Sequence, residues 1–128
     1  MNQQSHEIKS IGQICVTVKD LEAAVAFYRD TLGISLLFEV PGMAFFDLGS
    51  VRLMLGPADR DELDHAASII YYKVDDIEAS HKELLARGVS FEHEPRLVHK
   101  AEDHDLWLAF LRDMDQNLLG LMEERRPA

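Results

Sequence analysis

The chain contains the same short pattern twice, and this repeat limits the folds that it can adopt. Residues 18–23 (Val-Lys-Asp-Leu-Glu-Ala) return as residues 74–79 (Val-Asp-Asp-Ile-Glu-Ala), 56 positions later. Gly33 is matched by Gly88, one residue short of that offset. Each copy is too small to bury a sizeable core alone, so we expect two similar modules that fold against each other. A paired arrangement of this kind also favours a functional cleft between the modules.

The length and composition favour a single globular domain. The chain has 128 residues, of which 47% are hydrophobic and 28% are charged, as is usual for such domains. We therefore predict one domain, with module one at about 11–57, a charged linker at about 58–67 and module two at about 68–123.

The charge excludes some classes of partner. The 23 acidic and 13 basic residues give a formal net charge of −10, which disfavours binding to nucleic acids and to anionic membranes. No apolar run reaches the roughly 18 residues of a membrane span, and the polar residues 1–9 lack the apolar stretch of a secretory signal. The single cysteine, Cys15, excludes an internal disulfide framework. A cytoplasmic protein is the expectation.

The order of predicted elements is the same in both modules. Module one should contain a strand at 11–18, a helix that begins after Asp20 and ends at Gly33, and strands at 35–40, 43–48 and 51–55. Module two should contain a strand at 68–74, a helix between Asp76 and Gly88 that carries Ile77, Leu84 and Leu85, and a strand at 89–94 that Pro95 interrupts. A polar loop at 97–105 and strands at 107–111 and 118–122 follow. Each module is therefore βαβββ.

Alternation along four of the strands predicts which face lies towards the helices. The apolar, helix-facing set is Ile14, Val16, Val18, Val51, Leu53, Leu55, Ile70, Tyr72, Val74, Leu119 and Leu121. The opposite set is Gln13, Cys15, Thr17, Arg52, Met54, Ile69, Tyr71, Lys73, Leu118, Gly120 and Met122. If the sheets curl, the opposite set lines the concave side. The strands at 35–40, 43–48, 89–94 and 107–111 are too uniform for a face to be assigned.

This organisation resembles the vicinal oxygen chelate superfamily, which includes glyoxalase I, extradiol dioxygenases and bleomycin resistance proteins. The resemblance rests on residues 18–33 (Val-Lys-Asp-Leu-Glu-Ala-Ala-Val-Ala-Phe-Tyr-Arg-Asp-Thr-Leu-Gly) and 110–117 (Phe-Leu-Arg-Asp-Met-Asp-Gln-Asn), and it extends from about residue 11 to about residue 123. It implies an α+β fold in which two βαβββ modules form mixed sheets, curled into an open barrel with a central cleft. It also implies a homodimer.

The resemblance further implies a divalent metal site, and this chain lacks the ligands for it. The positions that correspond to the family's metal ligands carry Gln13, Met54, Ile69 and Gly120. Gln13 could lend a carbonyl oxygen, Met54 has a soft thioether, and Ile69 and Gly120 have no side-chain donor. A closed shell needs about three or four donors, so we predict that the usual metal site, and with it any metal cofactor, is absent.

The opposite set then predicts a ligand-binding surface that is largely apolar with a few polar groups. Arg52 is either an anion-binding group or a salt-bridged surface residue. Cys15 is either a nucleophile or a small buried apolar residue, and Trp107 either stacks on a ligand or packs in the core. Met54, Ile69 and Met122 could equally close the core. The candidate ligand-binding residues are Gln13, Cys15, Arg52, Met54, Ile69, Tyr71, Trp107, Gly120 and Met122.

The remaining titratable residues form no recognised motif. The loop His99–Asp105 contains His99, Glu102, Asp103, His104 and Asp105 and is either a solvated acidic loop or a ligand set, with His104 as a possible proton carrier. His6, His81 and His93 are interpreted as surface residues.

Three functions follow from this sequence. The first is metal-independent binding of a small molecule, as in the bleomycin resistance type. Its ligand would be apolar or aromatic, with or without an anionic group. The second is a glyoxalase-like lyase or isomerase, or an oxygenase, with a metal-free or non-standard site. The third is an interaction module without a ligand of its own.

Overall fold

The computed structural model describes residues 10–57 and 68–126, which form two modules of similar construction. The first contains β1 (Gln13–Thr17), α1 (Leu21–Val25), β2 (Ser35–Val40), β3 (Met43–Leu48) and β4 (Val51–Gly56). The second contains β5 (Ile70–Lys73), α2 (Ile77–Ala86), β6 (Ser90–Phe91), β7 (Arg96–Lys100), β8 (Asp105–Arg112) and β9 (Leu118–Arg125). The predicted linker at 58–67 lies outside the described residues.

Each module has one open, mixed sheet. The first sheet has the strand order β1-β4-β3-β2, and the second has β5-β9-β8, with β6 and β7 both paired to the free edge of β8. In both modules the first strand runs parallel to the last, β1 to β4 and β5 to β9, and the other pairs are antiparallel. The α+β prediction is confirmed, and the sheets are curled rather than closed.

Both helices begin where the repeated aspartates predict. The Asp20 carboxylate accepts a hydrogen bond from the amide of Ala23 at 3.2 Å, and Asp76 accepts one from Ala79 at 3.1 Å. These caps satisfy first-turn amides that have no partner within the helix. Gly33 and Gly88 follow the helices with φ near +80° and +89°, a conformation that glycine adopts without steric cost. The repeat therefore encodes the boundaries of two equivalent helices.

The first helix changes its winding after one turn. Residues 26–31 form a π-helix, in which the amide of Leu32 donates to the carbonyl of Phe27 at 2.9 Å. The sequence predicts an ordinary α-helix here. Over six residues, the spacing of apolar side chains does not distinguish 3.6 residues per turn from a slightly larger number. Leu85 lies in α2 as expected and is 47% exposed.

The second module contains a strand that the sequence analysis missed. Residues 96–100 form β7, although residues 97–100 were assigned to a polar loop, and only residues 101–104 turn between β7 and β8. Pro95 lies in the break between β6 and β7, because proline has no amide hydrogen for the ladder. All five residues of β7 are exposed at the sheet edge, including the apolar Leu97 and Val98, so the strand has no alternation of buried and exposed positions that its sequence could show.

The core lies on the helix side of both sheets and joins the modules. The buried residues include the predicted helix-facing positions Val16, Val18, Leu53, Leu55, Leu119 and Leu121, together with Ala44, Phe46, Ala109 and Leu111 from strands whose faces could not be assigned. From the helices, Ala24, Val25, Tyr28, Ile77 and Leu84 pack into the same cluster. The opposite faces of the sheets are consequently left for function.

Candidate functional site

The face of the first sheet turned away from α1, here called the outer face, contains a connected polar group. Arg52 Nε donates a hydrogen bond to Gln13 Oε1 at 2.9 Å, and Gln13 Nε2 lies 3.7 Å from Met54 Sδ. The register explains this, because Gln13 pairs with Arg52 and the neighbouring outer positions Cys15 and Met54 pair with each other. The structure thus brings together four of the candidate ligand-binding residues.

Two aromatic residues that the sequence did not identify extend this group. The Arg52 guanidinium lies 5.3 Å from the centroid of the Phe45 ring, and Phe45 stacks on Phe38 at 4.6 Å. Phe38 is 46% exposed. A guanidinium over a ring is a favourable cation–π contact. The first outer face therefore offers a cation next to an exposed aromatic surface, a combination suited to an aromatic anion.

The outer face of the second sheet carries an aromatic surface of its own. Tyr71 pairs with Gly120 across β5 and β9, and its ring lies edge-on to Phe110 with centroids 5.8 Å apart. A Cβ atom on Gly120 would lie 2.7 Å from a ring carbon of Tyr71, so the glycine leaves space for the ring. Tyr71 is 45% exposed and Ile69 is 44% exposed, while Met122 is partly buried.

The residues at the family's metal-ligand positions do not fit a divalent metal ion. The carbonyl oxygen of Gln13 already accepts a hydrogen bond from the positively charged Arg52. Ile69 and Gly120 have no side-chain donor, and the Tyr71 ring covers Gly120. Zinc and related ions need several nitrogen or oxygen ligands, and one engaged amide does not supply them.

Trp107 lies away from the other candidate residues. It pairs with Glu123 on β9, on the α2 side of the second sheet, and packs against the core. The Arg125 guanidinium lies 4.5 Å from the centroid of the Trp107 ring. Of the two alternatives for this residue, the structure therefore has the core-packing one. The alternative, that Trp107 stacks on a ligand, came from its position next to the predicted polar loop. The strand at 107–111 shows no alternation that could have assigned a face to Trp107.

Three carboxylates near Trp107 form a cluster on α2 and β9. Ligand oxygens of Asp76, Glu78 and Glu123 lie within 4.8 Å of one another. Arg125 donates to Glu78 at 2.6 Å and to Glu123 at 2.9 Å, and Glu123 also accepts from the Ile77 amide at 2.9 Å. The Arg125 hydrogen bond, followed by that of the Ile77 amide, lowers the pKa of the Glu123 carboxyl despite its burial. Arg125 thus offsets part of the negative charge of Glu78 and Glu123.

Two residues of the predicted acidic loop, Asp103 and His104, pair with each other, and His104 also lies near β9. His104 Nδ1 lies 2.9 Å from Asp103, and His104 Nε2 lies 3.7 Å from Glu124. The hydrogen bond from His104 lowers the pKa of Asp103. Glu124 also forms a salt bridge with Lys73 at 2.8 Å. Cys15 lies on the other sheet, where it is opposite Met54 in the strand register. Lys73 is accordingly engaged with a carboxylate.

A cavity of about 590 Å³ lies between the modules, but on the helix side. Aliphatic side chains of both modules line it, among them Leu32, Ile34 and Leu48 from the first and Leu84, Leu111 and Leu121 from the second. The charged residues Arg87 and Glu83 at this cavity already pair with each other at 3.0 Å. None of the candidate ligand-binding residues lines it, so we place the candidate site on the outer faces.

The helices in the described ranges are too short and too polar to cross a membrane.

Comparisons with known proteins give a consistent result. A family model described as Glyoxalase/Bleomycin resistance protein/Dioxygenase superfamily matches residues 10–120. The YraH protein of Bacillus subtilis (strain 168) is 30% identical over 123 residues, which cover 85% of this chain and 94% of YraH. The metallothiol transferase FosB of Staphylococcus haemolyticus (strain JCSC1435) is 32% identical over 72 residues, which cover 54% of this chain and 52% of FosB.

Similarity to solved structures concerns the fold. The crystal structure of TnmS3, an antibiotic binding protein from Streptomyces sp. CB03234, matches with a TM-score of 0.74 at 23% identity. The match covers 94% of this chain and 99% of TnmS3.

Proposed function

Because the chain belongs to the Glyoxalase/Bleomycin resistance protein/Dioxygenase superfamily, we propose that it binds a small organic molecule without the help of a divalent metal ion. The ligand has an apolar or aromatic body, and Arg52 binds an anionic substituent on it. One observation carries this proposal: the Arg52 guanidinium lies between the amide of Gln13 and the ring of Phe45, beside the exposed Phe38. TnmS3, which shares the fold, is an antibiotic binding protein.

The chemistry of this group favours binding over metal-dependent catalysis. A guanidinium presents several donors in one plane and can bind a carboxylate with two parallel hydrogen bonds. Stacked phenylalanines provide apolar area for an aromatic ring without adding charge. A metal ion placed beside Arg52 would be repelled by it, since both are positive.

The proposal includes a second copy of the chain. Phe38, Ile69 and Tyr71 each expose more than two-fifths of their area in a single chain. Large apolar side chains that are exposed on both sheets favour a surface that becomes covered. A homodimer that places the outer face of one protomer against another would cover these side chains and enclose the ligand. Sedimentation analysis should give a dimer, and a monomer that binds ligands with full affinity would contradict this part.

The binding proposal is tested by a thermal-shift screen of aromatic carboxylates. Stabilising compounds should lose most of their effect in Arg52→Ala and in Met54→Glu. Arg29→Ala is the matched control, because Arg29 is an exposed arginine that pairs with its neighbour Asp30. A screen without stabilisers, or with stabilisers that are indifferent to both changes, would refute the proposal.

A second candidate is an enzyme of the same superfamily, and the match to FosB favours it. FosB is a metallothiol transferase by its name. Metal analysis of the purified protein and titration with nickel, zinc, manganese and iron separate the two candidates. One tightly bound equivalent at the outer face, or turnover of the hemithioacetal of methylglyoxal that Gln13→Ala abolishes, would replace the binding proposal with the enzymatic one.

A further inference from the structure

His93 belongs to the aromatic surface of the second sheet, although the sequence analysis interpreted it as a surface residue. It lies between β6 and β7, and its imidazole is edge-on to Phe110 with ring centroids 5.6 Å apart. Phe110 in turn contacts Tyr71, the residue that covers Gly120. The three rings form a row, here called the aromatic row, along the outer face.

The backbone determines the tautomer of this histidine. His93 Nδ1 lies 2.7 Å from the carbonyl oxygen of Glu94. A carbonyl oxygen only accepts hydrogen bonds, so Nδ1 must carry the proton. In the neutral ring Nε2 then has no hydrogen and presents a lone pair.

The acceptor formed in this way has no partner in the described part of the chain. His93 Nε2 is buried and makes no hydrogen bond there. Buried polar atoms in native proteins are nearly always hydrogen-bonded, so an exception points to a group supplied from outside the described residues. Since Nε2 is an acceptor, that group must be a donor.

We infer that His93 Nε2 accepts a hydrogen bond from a hydroxyl or N–H group on an aromatic ligand that packs against the aromatic row. The inference rests on the proposed binding function and narrows it to phenol-like ligands and their nitrogen counterparts. His93 is then a specificity-determining residue, because only a ligand with the donor gains a hydrogen bond to Nε2. The rings of the aromatic row can pack edge-on or face-on against a planar aromatic ring, so they favour an aromatic ligand over an aliphatic one.

The first experiment measures the tautomer in the free protein. Histidine labelled with nitrogen-15 distinguishes protonated from unprotonated ring nitrogens by chemical shift, and the spectrum of His93→Gln identifies the His93 signals. At pH 8 we expect the proton on Nδ1 and none on Nε2. A proton on Nε2 would overturn the inference and leave the binding function in place.

The second experiment compares matched ligands, 4-hydroxybenzoate and 4-methoxybenzoate, which differ in one donor hydrogen. The wild-type protein should bind the phenol about fivefold to tenfold more tightly than the ether, as expected for one net hydrogen bond. His93→Asn retains a donor for the Glu94 carbonyl but lacks an acceptor at Nε2, so it should abolish the preference. His93→Gln places an amide oxygen near the Nε2 position and should retain part of it.

The preference separates a recognition role from a structural one. If His93 had only a structural role, its substitution would weaken the binding of both ligands equally. The ratio of the two affinities would then stay unchanged. A ratio near one in the wild-type protein, or one that His93→Asn does not alter, would overturn the inference alone. Failure of the whole screen of aromatic carboxylates would refute the proposed function, and the inference with it.

Discussion

The hydroxyl of Tyr28 donates a hydrogen bond to the Asp113 carboxylate at 2.9 Å, and this contact links the two modules. Tyr28 lies in the π-helix of the first module, and Asp113 lies in the turn between β8 and β9 of the second. Both residues are almost fully buried. Burial, and then the nearby Asp113 charge, raise the pKa of the Tyr28 hydroxyl far above its usual value, so it remains a donor.

The Tyr28→Phe variant should be less stable than the wild-type protein by about 1–3 kcal/mol, because Asp113 loses a buried donor while Phe fills the same volume. Urea denaturation, monitored by far-ultraviolet circular dichroism, measures the change in the free energy of unfolding. Tyr71→Phe removes an exposed hydroxyl from β5 and should have little effect. Equal losses in the two variants would show that the link between modules is not stabilising.

A second link between the modules is made by Arg87. Its Nη1 donates to the backbone carbonyl of Thr31 at 2.8 Å, and its Nε pairs with Glu83 at 3.0 Å. We expect Arg87→Ala to lower the free energy of unfolding by about 0.5–1.5 kcal/mol through loss of the hydrogen bond to Thr31. Glu83→Gln removes only the exposed ion pair and should cost less than about 0.5 kcal/mol. If both variants lose the same amount, the contact with Thr31 contributes nothing.

Much of the fold could be predicted from short signals in the chain. The aspartate caps and the positive-φ glycines were encoded in the repeat, and the turns at Pro41 and Gly49 determined β2 and β3 at their observed bounds. The π-helix and β7 could not be found in this way. The spacing of the apolar residues does not distinguish the two kinds of winding, and the edge strand β7 has no buried face that its sequence could show.

The candidate site was predictable only where strands alternate. Alternation in β1 and β4 placed Gln13, Arg52 and Met54 on one face, which the register confirms. The uniformly apolar strands gave no face, so Phe45 was not identified. Trp107 lies on one of these strands, so its packing against the core could not be decided from the sequence. His93 was beyond prediction, since its tautomer depends on a carbonyl distance.

The close approach of Gly120 and Tyr71 predicts the effect of adding one methyl group. In Gly120→Ala the new Cβ would lie 2.7 Å from the Tyr71 ring, so the ring must move and stability should fall by about 1–3 kcal/mol. Tyr71→Ala in the same chain should recover most of the loss, as thermal denaturation can measure. Gly12→Ala is the control, because nothing lies within 4 Å of its Cβ position. A double variant no more stable than Gly120→Ala would contradict the steric explanation.

Glu123 should make the stability of the protein depend on acid pH. The side chain is 8% exposed, and its carboxylate accepts hydrogen bonds from Arg125 and from the Ile77 amide. These bonds lower the pKa of Glu123 in the folded protein below its usual value of 4.5. The stabilisation is therefore fully present above about pH 4.5 and is lost as the pH falls through the lower, folded-state pKa.

The variant Glu123→Gln tests this dependence, because the amide keeps the shape but not the charge. At pH 7 its free energy of unfolding should be about 1–3 kcal/mol lower than that of the wild-type protein, because hydrogen bonds to a charged group are stronger than those to a neutral amide. The difference should shrink below about pH 4.5, where protonation removes the charge from the wild-type side chain as well. Glu124→Gln, on the next residue of β9, alters an exposed carboxylate and should give a smaller difference at pH 7. Urea titrations at pH 7, 5 and 3 measure both, and a difference for Glu123→Gln that is constant across this range would show that its carboxylate is not the source.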